Sequence, residues 1–91
     1  MTDKEIKALA CDARKKMEEA VIALLSNYDG LTNTEIAEEL NLHSSHEGRQ
    51  KDYLTYSILG ILMENGKVEK IRYNNSRHPV YKLKKAYKNG L

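Results

Sequence analysis

The chain has 91 residues, enough for one domain with a single modest core; 41% are apolar and 31% are charged. Its single cysteine, Cys11, excludes an intramolecular disulfide, and the histidines show no zinc-site spacing. The apolar run at residues 21–25 is too short to cross a membrane, and the first residues do not resemble a signal peptide. We therefore expect a cytoplasmic protein with no metal and no cofactor.

Positive charge is concentrated in the second half of the chain. Residues 1–45 carry five Lys or Arg against nine Asp or Glu, a net charge of −4, whereas residues 46–91 carry ten against four, a net charge of +6. Such an asymmetry favours a polyanionic partner. The alternative is a basic, solvated C-terminal tail, since residues 82–88 supply four of the ten positive charges.

Two helices are predicted in the first half. Residues 3–27 form the longer one, because apolar side chains recur at steps of three and four along it, from Ile6 and Leu9 onward. The polar turn that follows ends this helix. Residues 33–40 form a short second helix, for which Thr32 and Glu35 have the spacing of a capping box.

A third helix, residues 46–65, is predicted after a polar turn that contains a further capping pair, Ser44 with Glu47. Gly60 lies in its middle and is expected to let another helix approach closely. The helix ends at residues 65–66, an Asn-Gly pair that tolerates positive φ. Its inward apolar positions are predicted to be Leu54, Ile58, Ile61 and Leu62.

A β-hairpin is predicted over residues 67–83. Residues 67–72 and 79–83 have β-branched and aromatic character, and the segment between them is rich in turn-forming and polar residues. The remaining residues, 84–91, are expected to form a frayed basic tail.

This order of elements resembles the winged helix-turn-helix superfamily of DNA-binding domains. Two stretches carry the resemblance: residues 30–40 (GLTNTEIAEEL) are similar to the first helix of the helix-turn-helix unit, and residues 59–70 (LGILMENGKVEK) to the passage from recognition helix into wing. The resemblance implies an α+β, mostly α fold, with three helices and a C-terminal β-hairpin wing, in a single domain over residues 1–91. It also implies a small transcriptional regulator. The turn at 41–47 is longer than in the simplest members, which leaves the start of helix three open.

The side chains predicted to contact double-stranded DNA lie in the first half of helix three and in the wing. Arg and Gln suit base edges in the major groove, Lys, Thr and Tyr suit phosphates, and a recognition helix places its N-terminal residues deepest. Thr55 is expected on the same outward face. The two tyrosines could instead belong to the core, and the first cations could be ordinary solvated charges. The predicted DNA-binding residues are Ser45, His46, Arg49, Gln50, Lys51, Tyr53, Tyr56, Arg72, Asn74, Asn75, Arg77 and His78.

Other functions are weighed against this one. The sequence has no catalytic arrangement with a plausible context and no glycine-rich phosphate loop, so we expect no enzymatic activity. A DNA-reading module of a larger complex stays open, as does a winged helix used for protein–protein assembly, which would present a neutral or apolar outer face on helix three. The length of helix one further suggests a homodimer formed through that helix.

Overall fold

The computed structural model describes residues 1–44, 51–74 and 76–90. Five of the predicted DNA-binding residues fall outside these ranges: Ser45, His46, Arg49, Gln50 and Asn75. Within the ranges the elements are α1 (Asp3–Leu25), α2 (Asn33–Glu39), α3 (Tyr53–Glu64), β1 (Val68–Ile71), β2 (Val80–Leu83) and α4 (Lys85–Asn89).

Helices α1 and α2 begin where their capping residues predict. The Thr2 hydroxyl accepts the backbone N–H of Glu5, and the Glu5 side chain accepts the backbone N–H of Thr2, both at 3.2 Å. Thr32 and Glu35 repeat this arrangement, at 3.2 Å and 2.8 Å. Each capping box satisfies two N–H groups that the first turn of a helix leaves without a partner.

Only the C-terminal end of α1 belongs to the core. Val21 and Leu25 are buried, whereas Ile6 and Leu9 are 50% and 59% exposed. The apolar stripe of α1 therefore reaches beyond the core in the first half of the helix. Residues 1–10 are all exposed, because the elements that form the core pack only against the later turns of the helix.

Helix α3 begins later than predicted. Asp52 precedes it in the left-handed conformation, at φ 58° and ψ 47°, and a helix cannot pass through such a residue. Asp52 is held there by Ser44, whose backbone carbonyl accepts the Asp52 N–H at 2.7 Å and whose N–H donates to Asp52 Oδ1 at 2.9 Å. Residues 51 and 52, which were predicted to be helical, therefore precede the helix. Residues 46–50 of the predicted helix lie outside the described ranges.

The buried face of α3 matches the predicted one at Ile58 and Leu62 and differs from it at Leu54, while Ile61 is only partly buried. Leu54 is 42% exposed, whereas Thr55 is fully buried together with Ile58, Leu59 and Leu62. The prediction that Thr55 faces outward is wrong, because its hydroxyl donates to Asn33 Oδ1 at 2.7 Å and is thereby satisfied inside the protein. The expected close helix approach at Gly60 is also wrong: a Cβ there would meet no atom within 4 Å.

The two strands form an antiparallel hairpin that closes the core. Their register pairs Val68 with Leu83 and Lys70 with Tyr81. Leu31 extends this sheet, since its N–H and carbonyl bond the carbonyl and N–H of Tyr81 at 3.0 Å and 2.8 Å. The helices and the hairpin are therefore tied together at Tyr81, which is 1% exposed.

The C-terminal segment is partly helical. The expected frayed tail is replaced over Lys85–Asn89 by α4, whose Lys88 N–H donates to the Lys84 carbonyl at 2.8 Å. Tyr87 packs against the core, and the Lys67 ammonium lies 5.8 Å from the centre of its ring. This contact explains why the short helix stays against the body of the protein.

Candidate nucleic-acid interface

The predicted DNA-binding residues within the described ranges form two groups. Lys51, Tyr53 and Tyr56 lie at the start of α3, and all three are exposed. The rings of Tyr53 and Tyr56 are 6.5 Å apart, with 55% and 39% of each residue exposed, so neither belongs to the core. The second group lies in the loop between β1 and β2, and all its members are exposed: Arg72, Asn74, Arg77 and His78.

The two groups meet across a cleft, which we call the helix–hairpin cleft. Its volume is about 570 Å³. The start of α2 forms one side, the start of α3 a second, and the hairpin the third. The lining residues are Thr32, Asn33, Thr34, Lys51, Tyr56, Lys70, Arg72, His78, Pro79 and Tyr81.

The cleft brings together only part of the predicted set. Lys51, Tyr56, Arg72 and His78 line it, whereas Tyr53, Asn74 and Arg77 are not among its lining residues. Sequence reasoning missed Lys70, which lines the cleft because it lies opposite Tyr81 in the hairpin register. The alternation of side chains along β1 is the signal that could have indicated its face.

The helix–hairpin cleft has a positive electrostatic character. Lys51, Lys70 and Arg72 line it, and no Asp or Glu is among the lining residues that the structure describes. The hairpin's acidic residue, Glu69, points elsewhere: its carboxylate lies 3.7 Å from the ammonium of Lys82. None of the three cleft cations forms an ion pair with a described residue. The cleft is therefore suited to a negatively charged ligand.

Tyr81 connects the core to the cleft. Burial raises the pKa of its hydroxyl above the ordinary value of 10.0, and nearby Tyr56 raises it further, while the positive charge of Arg72 opposes both. Tyr56 and Arg72 line the same cleft as Tyr81. Within the described part of the chain, this hydroxyl makes no hydrogen bond.

A buried polar cluster fixes the start of α3 against α2. The Asn33 side chain donates to the Asp52 carbonyl at 3.1 Å and accepts from the Thr55 hydroxyl at 2.7 Å. The Asp52 carboxylate accepts from the Ser44 backbone, and His43 Nδ1 lies 2.7 Å from the same oxygen. The other oxygen, Oδ2, is buried and has no hydrogen-bond partner among the described residues. This cluster positions the neighbouring Lys51 and Tyr53, and the sequence offered only the residue type of Asp52 as a signal.

The chain resembles a known structure over almost its whole length. A mutant of Lactococcus lactis ZitR in apo form superposes with a TM-score of 0.68 at 21% sequence identity, covering 97% of this chain. The protein has a winged-helix fold. This confirms the predicted fold class, with α2 and α3 as the helix-turn-helix unit and the β1–β2 hairpin as the wing.

The winged-helix chain spans only 62% of the length of the ZitR chain. No protein-family model matches the sequence, and no curated protein matches it either. Among the described residues, no helix is both long and apolar enough to cross a membrane, and no three His, Cys, Asp or Glu side chains are grouped to hold a metal ion.

Proposed function

We propose that this winged-helix protein is a small transcriptional regulator that binds double-stranded DNA with the start of α3 and the wing. One observation carries the proposal: the exposed start of α3 and the cationic hairpin face the same cleft. No Asp or Glu is among the described residues that line it. A phosphate backbone requires a continuous positive surface of this kind.

The chemistry of the exposed side chains supports this function. Lys51 offers an ammonium, and Tyr53 and Tyr56 offer hydroxyl groups, at the end of α3 that enters a major groove when a recognition helix docks. Arg72 and Arg77 extend the positive surface along the wing. Arg49 and Gln50, which lie outside the described ranges, are proposed to read base edges beside them.

A protein–protein interaction module is the second candidate. It is favoured by Leu54, which is 42% exposed beside the exposed Tyr53 on the outer face of α3. A protein partner would contact this apolar pair, whereas DNA would contact the cations around it. The two candidates therefore differ in which substitutions abolish binding.

We also propose that two copies associate through the first half of α1. Ile6 and Leu9 are about half exposed and continue the apolar stripe whose later members, Val21 and Leu25, lie in the core. A second copy would cover this stripe with the same residues, as a two-fold dimer requires. Such a dimer would place two reading helices on successive half-sites.

Selection from random duplexes tests the proposed function. A regulator should enrich a defined sequence from the pool, whereas the Lys51→Ala variant should enrich the same sequence more weakly. Leu54→Ala serves as the matched control, since it removes apolar contact area from the same helix and leaves its charge unchanged. No enrichment with the unmodified protein, or loss of enrichment only in Leu54→Ala, would contradict the proposal.

A further inference from the structure

The helix–hairpin cleft is large enough to hold a small molecule. Its volume of about 570 Å³ falls within the range of ligand pockets, about 300–1,000 Å³. The phosphates of duplex DNA lie on the outside of a wide rod, so a bound duplex would stop at the mouth of the cleft. The interior is therefore not accounted for by the proposed DNA contact.

The hydroxyl of Tyr81 is a polar group in the wall of this cleft. The residue is 1% exposed, lines the cleft, and its hydroxyl has no hydrogen-bond partner within the described ranges. Because Tyr81 lines the cleft, its hydroxyl can be reached from there. An acceptor atom of a ligand that enters the cleft would accept a hydrogen bond from it.

The other lining groups define the chemistry of such a ligand. Lys51, Lys70 and Arg72 supply three positive charges that no described carboxylate neutralises. A phosphate monoester carries close to two negative charges and three acceptor oxygens, which match this set better than the single charge of a carboxylate. The rings of Tyr56 and Pro79 offer an apolar wall for the organic part of the molecule.

We propose that the helix–hairpin cleft binds a small phosphate monoester. Its phosphate reaches the Tyr81 hydroxyl and the Arg72 guanidinium, and its organic part packs on Tyr56 and Pro79. Occupation of the cleft withdraws Arg72 and Lys51 from DNA, so the ligand antagonises DNA binding. The binding of the ester itself does not depend on whether the protein binds DNA.

Titration of the full chain with phenyl phosphate, followed by calorimetry and by amide NMR shifts, tests this site. We expect saturable binding at one site, weakened roughly tenfold or more in Arg72→Ala and roughly threefold to tenfold in Tyr81→Phe. Lys88→Ala removes one exposed positive charge outside the cleft and should bind as the unmodified protein does. Thermal unfolding of each variant verifies that it is folded.

Three results would overturn the proposal: no saturation with phenyl phosphate, equal affinity in Arg72→Ala, or equal affinity for benzoate. A protein that binds duplex DNA but not phenyl phosphate keeps the proposed function and loses this site. A protein that binds phenyl phosphate but no duplex keeps this site and loses the proposed function. Displacement of a bound duplex by phenyl phosphate supports both.

Discussion

The fully buried carboxylate of Asp52 lies 2.7 Å from Nδ1 of His43, whose side chain is about half exposed. The same oxygen accepts the backbone N–H of Ser44 at 2.9 Å. These contacts join the segment after α2 to the residue that immediately precedes α3. The direction in which the proposed reading helix leaves the core thus depends on one acidic side chain.

Removal of this carboxylate should destabilise the protein. We expect Asp52→Ala to lower the free energy of unfolding by about 2–4 kcal/mol, because it leaves the Ser44 N–H unpaired and places a poorer residue at a positive φ. Asp52→Asn should lose less, since asparagine tolerates this conformation and keeps an acceptor oxygen. Urea unfolding measures both. Asp12→Ala, which breaks an exposed ion pair with Lys16, should change stability by less than about 1 kcal/mol.

Two glycines should respond to alanine in opposite directions. A Cβ at Gly30 would collide with Cγ1 of Val80, a stiff β-branched side chain next to the Leu31–Tyr81 bridge. Gly30→Ala should therefore destabilise the protein by about 1–3 kcal/mol. A Cβ at Gly60 meets no atom within 4 Å inside α3, so Gly60→Ala should stabilise it by about 1 kcal/mol. Thermal unfolding measures both variants. A higher unfolding temperature in both of them would contradict the packing described for Gly30.

Stability should fall at alkaline pH because of Tyr81. Burial raises the pKa of its hydroxyl above 10.0, so the folded protein retains this proton after the unfolded chain has lost it. The resulting stabilisation is complete below pH 10 and is lost as the pH rises through the raised pKa. Urea unfolding at a pH below 10 and at a pH above the raised pKa should show a smaller loss of unfolding free energy in Tyr81→Phe than in the unmodified protein. Tyr73→Phe, at a position that is 57% exposed, should behave as the unmodified protein does.

The exposed stripe of α1 predicts the oligomeric state. We expect a dimer at high micromolar concentration in sedimentation equilibrium, and a monomer for Ile6→Glu, because a charge on the apolar face opposes association. Leu54→Glu places the same charge on an exposed apolar position of α3 and should leave the dimer intact. A monomer for the unmodified protein over this range would rule out the proposed interface.

The parts of the fold that the sequence predicts best are set by local contacts. Each capping box joins residues three apart, and the positive φ of Gly66, 72°, follows from its residue type at a helix end. The start of α3 was missed because contacts between distant residues set it: Asp52 bonds Ser44, eight residues away, and Asn33 bonds Thr55, twenty-two residues away. No periodicity of apolar residues reports such pairs.

The candidate interface was predicted only in part, because contacts between distant residues also bring some of its members together. Exposure of Arg72 was predicted from its place at the start of a polar loop, whereas the sequence left open whether Tyr53 belongs to the core. The presence of Lys70 and Tyr81 in one cleft depends on the strand register, which pairs their backbones. Burial of Thr55 in place of the predicted Leu54 depends on the distant Asn33, which provides the threonine with a hydrogen-bond partner.

Binding of a fluorescently labelled duplex, measured by anisotropy at about 50 mM and about 200 mM salt, tests whether the start of α3 and the wing contact DNA phosphates. We predict binding that weakens steeply with salt, and a shallower salt dependence in Arg77→Ala and Lys51→Ala, by about 0.9 in the logarithmic slope for each phosphate contact removed. Lys88→Ala, which lowers the net charge equally, should retain the slope of the unmodified protein. No binding at the lower salt concentration, or the same loss in Lys88→Ala as in the other two variants, would rule out DNA binding through the start of α3 and the wing.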